Sequence, residues 1–140
     1  ARCGVEPERR QFVNNRKMSH SHFAYYDMID ISLDTFPQTG GTTTCDAIWM
    51  GVPVISLVGP SMHQRVSYSI LENAGCGELC AFSLEEYMGK AVMLGNDLTS
   101  LREYRHKMRP ALLDSPLCNA EMFTENFQKV VIEAYEKSGA

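Results

Sequence analysis

DISLDTFPQTGGTTTCDAIWMGVPVISLV, residues 30–58, holds the pattern that decides the fold. Residues 31–34 read as a short strand and residues 35–41, with Pro37, Gly40 and Gly41, as a loop. A helix starting near Thr42 or Thr43 then carries Ala47, Ile48, Trp49 and Met50 until Gly51 stops it. Residues 53–58 are apolar almost without alternation, as expected of a strand covered on both faces in a parallel sheet.

The same grammar extends outward. Gly59 and Pro60 break the chain, and residues 63–74 place Val66, Ile70, Leu71 and Ala74 at helical spacing before Gly75 and Gly77. Residues 78–81 suggest a short edge strand. Ser83 with Glu86 three residues later forms a capping box for a helix to about Leu94, and Asp97 or Thr99 caps another to about Leu113. After Ser115 and Pro116, Asn119 caps a final helix over 121–137 with Phe123, Phe127, Val130, Val131 and Ala134 on one stripe. Upstream, residues 7–10 suggest a turn or helix start and residues 11–13 a short strand. Ser19 would cap a helix of about three turns with Phe23, Tyr26, Met28 and Ile29 on one side. Strands alternating with helices predict an α/β protein with a small parallel sheet. The 140 residues fit one domain, 1–140, with 119–137 as its terminal helix.

Composition narrows the function classes. With 44% hydrophobic and 21% charged residues the chain is that of an ordinary globular protein, neither disordered nor fibrous. A formal charge of -4, with basic residues gathered only at Arg9, Arg10, Arg16 and Lys17, predicts no nucleic-acid partner. No apolar run is long enough to span a membrane, and no signal peptide is visible, so no membrane partner is expected. Cys3, Cys45, Cys76, Cys80 and Cys118 show no C-x-x-C spacing; buried structural thiols in a reduced, cytoplasmic setting are expected.

Gly40, Gly41, Thr42, Thr43 and Thr44 lie between a strand and a helix, where open parallel sheets bind ligands beyond the carboxyl ends of their strands. Glycines let a ligand approach the main chain, threonine hydroxyls donate hydrogen bonds, and free N–H groups at a helix start favour an anion. No G-K-[S/T] follows and no G-x-G-x-x-G is present, which argues against ATPase and dehydrogenase sites. Asp46, one turn into the helix, is placed to accept hydrogen bonds from a ribose. An acid there also offsets the helix dipole, and the loop alone does not separate the two roles.

The stretch D-I-S-L-D-T-F-P at 30–37, then G-G-T-T-T-C-D-A-I-W-M-G-V-P at 40–53, resembles the O-linked N-acetylglucosamine transferases and the related SPINDLY-type protein O-fucosyltransferases. Arg65-Val66-Ser67, Gly75-x-Gly77-Glu78-Leu79 and Ser115-Pro116-Leu117-Cys118-Asn119 extend the resemblance over nearly the whole chain. It implies a GT-B glycosyltransferase with two Rossmann-like, three-layer α/β/α lobes, usually preceded by tetratricopeptide repeats. This chain would be the later part of the second, sugar-nucleotide-binding lobe. By position, Thr42 and Thr43 would contact the diphosphate, Asp46 the ribose, and His22 the region of base and ribose. Lys17 and Ser19 fall where the family's backbone reads the base. Gly41 stands where animal members carry a histidine, so that diphosphate contact is lost or supplied by the main chain.

The resemblance also implies inverting transfer of N-acetylglucosamine from UDP-N-acetylglucosamine (UDP-GlcNAc) to serine or threonine hydroxyls of proteins, without metal or other cofactor. GDP-fucose as donor, and a non-catalytic nucleotide-binding or interaction module, are the alternatives. The chain starts without methionine and lacks the repeats, the first lobe and the second lobe's opening strands. It is therefore expected to be an incomplete piece with no catalytic residue of its own.

Other residues are assigned structural roles. His20, His63 and His106 are expected at the surface, and Trp49 and Met50 in the core. Met88, Met93, Met108 and Met122 should fill the core of the late helices. Asp34 should cap the loop by an Asx turn, and Arg65 should face the cleft or pair with Glu72 or Asp46. The final stripe of Phe123, Phe127 and Val131 is expected to be exposed and available for self-association.

Overall fold

Val54, Ile55 and Ser56 are buried because their strand has a neighbour on each side and helices on both faces. The computed structural model describes residues 4–13 and 22–139. Its sheet has three parallel strands, β1 (Ser32–Leu33), β2 (Val54–Leu57) and β3 (Cys80–Ala81), in that order. Ser32 stands opposite Val54, and Ser56 opposite Cys80.

Helix α1 (Thr42–Trp49) links β1 to β2, and α2 (Val66–Asn73) links β2 to β3. Two right-handed crossovers running the same way along a sheet place both helices on one face. α3 (Leu84–Gly95) packs on β2 and β3 from the other face. α4 (Leu98–Leu113) touches both α1 and α3, and α5 (Ala120–Ser138) follows. The result is the expected Rossmann-like α/β/α layering. Ile48, Val52, Ile55, Leu71 and Met108 form the centre of the core. At roughly 1.5–3 kcal/mol for each fully buried side chain of this size, such a cluster dominates the stability of the sheet.

Capping follows the sequence closely. Ser83 accepts from the Glu86 amide at 3.1 Å, while the Glu86 carboxylate reaches back to the Phe82 amide, one residue earlier than in a standard box. Asp97 accepts from Thr99 and Ser100, and Asn119 from Met122. Gly51 ends α1 with φ +74°, and a Cβ there would lie 2.6 Å from the Arg105 carbonyl oxygen. Helix α4 therefore crosses the end of α1 at a distance that only glycine permits.

Several expectations change. Residues 11–13 form no strand, and the helix expected after Ser19 is a 3-10 helix over His22–Met28, Ser19 lying outside the described residues. Trp49 is 40% exposed and Met50 only half-buried, and Arg109 of α4 lies over the indole at 5.0 Å. Met108 is buried and Met122 half-buried, but Met88 and Met93 are exposed on the solvent side of α3. Arg65 meets neither acid; it donates to the Gly59 carbonyl and lies over the Tyr68 ring. Cys76 and Cys80 are buried free thiols, and burial pushes them up to about 11 and about 12. The stripe of Phe123, Phe127 and Val131 is exposed, as expected. No helix among the described residues is long and apolar enough to cross a membrane.

Candidate functional site

The loop between β1 and α1 is held from inside by polar side chains that the sheet and α2 supply. Asp34, at the end of β1, accepts from the Gly40 amide at 2.9 Å and from the Ser56 hydroxyl of β2 at 2.6 Å. Its role is structural as expected, though the bond spans six residues rather than the two of an Asx turn. Buried Thr39 donates to the His63 carbonyl, and the amide of buried Ser67 in α2 donates to Thr39 Oγ1. Ser67 Oγ donates to the Gly40 carbonyl at 3.0 Å, so its single proton is used. Thr44 Oγ1, 2.8 Å away, must then be the donor in the Thr44–Ser67 bond. No buried side-chain nitrogen or oxygen among the described residues lacks a partner. Such a satisfied network fixes a loop, because breaking any member strands a buried polar group.

Gly40 is part of this closure. A Cβ on it would lie 2.5 Å from Thr44 Oγ1, 2.9 Å from Thr43 Oγ1 and 3.3 Å from Asp34 Oδ1. Gly41, the N-cap of α1, is less confined: a Cβ there would meet only Val66 Cγ1, at 3.7 Å.

The outer side is different. Among the described residues no side chain caps α1, which leaves its first amides without a side-chain partner beside exposed Thr42 and Thr43. Asp46 follows Thr43 by three residues and so shares its helix face. His22 Nε2 lies 3.0 Å from Asp46 Oδ2, with the side chains 46% and 18% exposed. Tyr26, one turn on from His22, donates its hydroxyl to the Thr43 carbonyl at 3.3 Å. Burial, and then the Asp46 carboxylate, raise the Tyr26 phenol above its ordinary value, so it remains a neutral donor. A hollow of about 150 Å³ lies between Tyr26, Asp34, Gly40 and Thr43. A larger cleft of about 530 Å³ lies at the other end of α1 among Trp49, Arg105 and Arg109. Those two arginines are committed to main-chain carbonyls, and the cleft has none of the loop's donors.

The structure thus brings Gly41, Thr42, Thr43, Asp46 and His22 together, while Lys17 and Ser19 lie outside the described residues. Sequence reasoning treated His22 and Asp46 as separate contacts; they are a hydrogen-bonded pair. It missed Tyr26, which had been assigned to an apolar face, and the anchors Thr39, Ser56 and Ser67. Only Ser67 had a signal, as part of the Arg65-Val66-Ser67 stretch.

A family model described as Glycosyl transferase family 41 matches residues 1–127. The chain is 39% identical over 125 residues to a probable UDP-N-acetylglucosamine-peptide N-acetylglucosaminyltransferase SPINDLY of Petunia hybrida, covering 89% of this chain and 13% of that protein. It is 38% identical over 127 residues to the protein of that name in Solanum lycopersicum, covering 91% and 14%. A mutant O-GlcNAc transferase of Thermobaculum terrenum superimposes with a TM-score of 0.72 at 38% identity, over 78% of this chain and 21% of that structure. The chain therefore spans 13% to 14% of the length of these curated relatives.

Proposed function

The chain belongs to glycosyl transferase family 41, and from this we propose that it forms the sugar-nucleotide-binding portion of an inverting protein O-glycosyltransferase. The enzyme transfers N-acetylglucosamine from UDP-GlcNAc to serine or threonine hydroxyls of an acceptor protein. One observation carries the reading: an uncapped helix start with two exposed threonines has a carboxylate one turn behind it, and that carboxylate is paired with His22. A diphosphate on the Gly41–Thr43 amides and hydroxyls would place a ribose over Asp46. When the nucleoside diphosphate leaves, negative charge grows on its terminal phosphate. Fixed donors aimed there lower the barrier without having to reorganise.

Threonine hydroxyls, amides and the helix terminus supply this stabilisation from the chain itself, so the proposed chemistry is metal-independent. The free cysteines fit a reduced, cytoplasmic compartment. GDP-fucose as donor is the second reading, favoured by the stretches at 30–37 and 115–119 that resemble the SPINDLY type.

Calorimetric titration with UDP and with GDP, in chelator, tests the proposal. Tighter binding of UDP, indifferent to chelator, is expected. Preference for GDP would move the assignment to the second reading, and binding of neither would leave an interaction module. The proposal also includes self-association through Phe123, Phe127 and Val131. Light scattering should show a mass that rises with concentration, and monomer throughout would remove this part.

A further inference from the structure

The 3-10 helix His22–Met28 brings His22 and Tyr26 to the site, yet it contains no buried residue. Burial alone therefore does not fix its position against α1, and polar ties must contribute. Two ties are on the site face, His22 to Asp46 and Tyr26 to the Thr43 carbonyl. Further ties among the described residues come from the far side. Arg105 of α4 donates through Nη1 to the Tyr26 carbonyl at 3.1 Å and to the Met50 carbonyl at 3.2 Å, and through Nη2 to the Ile29 carbonyl at 2.7 Å.

Met50 is the C-cap of α1, where unpaired carbonyls and the negative end of the helix dipole attract a cation. One guanidinium thus joins the end of α1 to the segment that carries His22 and Tyr26. The fork geometry matters, because a lysine ammonium is a point charge without two planar nitrogens to divide among three carbonyls. The Gly51 approach seats the Arg105 main chain directly on the α1 terminus.

We infer that Arg105 is a positioning residue for nucleotide binding: by clamping the His22–Met28 segment to the C-terminus of α1, it sets the His22–Asp46 pair one helical turn before that terminus. This rests on reading the Thr43–Asp46 face as the nucleotide site. Arg109 supplies the contrast. It also binds the end of α1, through the Trp49 carbonyl and the indole, but among the described residues none of its hydrogen bonds or ring contacts reaches residues 22–29.

The experiment compares Arg105→Ala, Arg105→Lys and Arg109→Ala in the full chain by thermal melting, by UDP and GDP titration, and by the NMR shift of the His22 ring with and without Asp46→Asn. In the parent, Asp46→Asn should move the His22 signal. Arg109→Ala should lower the melting temperature, keep that response and leave nucleotide affinity within twofold. Arg105→Ala should abolish the His22 response and weaken nucleotide binding about tenfold while still melting cooperatively, with Arg105→Lys recovering only part of each. If Arg105→Ala does not fold, Arg105→Lys carries the test. A His22 response and affinity in the Arg105 variants equal to those of Arg109→Ala would overturn the clamp. If the parent binds neither nucleotide, the site reading fails, and the His22 response still decides whether Arg105 positions the pair.

Discussion

Thr43 and Thr44 are adjacent in sequence and in the same helical turn, yet their surroundings are opposite. Thr44 is buried, its hydroxyl on Ser67, inside a network that reaches Gly40, Thr39, Asp34 and Ser56. Thr43 is exposed beside uncapped amides, with Tyr26 on its carbonyl and the Asp46–His22 pair on the same helix face. The inner side of the loop spends its polar groups on one another and becomes rigid; the outer side keeps its donors free. Preorganised donors of that kind are what a binding site for a charged leaving group requires.

If the division holds, the largest effect on stability should come from the inner side. Gly40→Ala would force a methyl against Thr44 Oγ1, which cannot swing away without breaking its buried bond to Ser67. A loss of about 1–3 kcal/mol is expected from such overpacking, measured by urea unfolding. A loss below about 0.5 kcal/mol would mean that the inner network is loose.

A smaller effect should appear with pH. Burial raises Cys76 to about 11 and Cys80 to about 12 from an ordinary value of 9.0, so folding favours the protonated thiols. The stabilisation is complete below about pH 9 and is lost as pH rises through the folded values. The urea midpoint should therefore fall between pH 9 and 11, and fall less in Cys80→Ala. A midpoint equally pH-dependent in that variant would show that the core behind β3 is open to water.

Much of this division could be read from residues 30–58. The strands, α1 and its glycine stop followed from local pattern, because each depends on neighbours within a few residues. The caps at Ser83, Asp97 and Asn119 were legible for the same reason. What failed depended on contacts distant in sequence. Trp49 reads as core from its helix face, yet it stays 40% exposed with its indole against Arg109 of α4, a neighbour sixty residues away in sequence. Residues 11–13 have strand-like composition but pair with no strand among the described residues. For Arg65, expected to face the cleft or to pair with Glu72 or Asp46, the two acids are replaced by the Gly59 carbonyl and the Tyr68 ring. In the site, the outward residues Thr42, Thr43 and Asp46 were accessible through motif position. Ser56 was not, since nothing local marks a serine that will be buried against a loop, and Ser67 was marked only by the Arg65-Val66-Ser67 stretch, which does not show what it holds.

The central claim is that the outer side binds while the inner side only holds the loop in place. Titration of UDP and GDP into the parent, Thr43→Ala and Asp46→Ala, alongside urea unfolding of each, tests it most directly. Both variants should keep the parent's stability to within about 0.5 kcal/mol. Each should bind nucleotide more weakly by about 1–3 kcal/mol, the cost of losing a hydrogen bond to a charged or buried partner. Unchanged affinity in both variants would contradict the account.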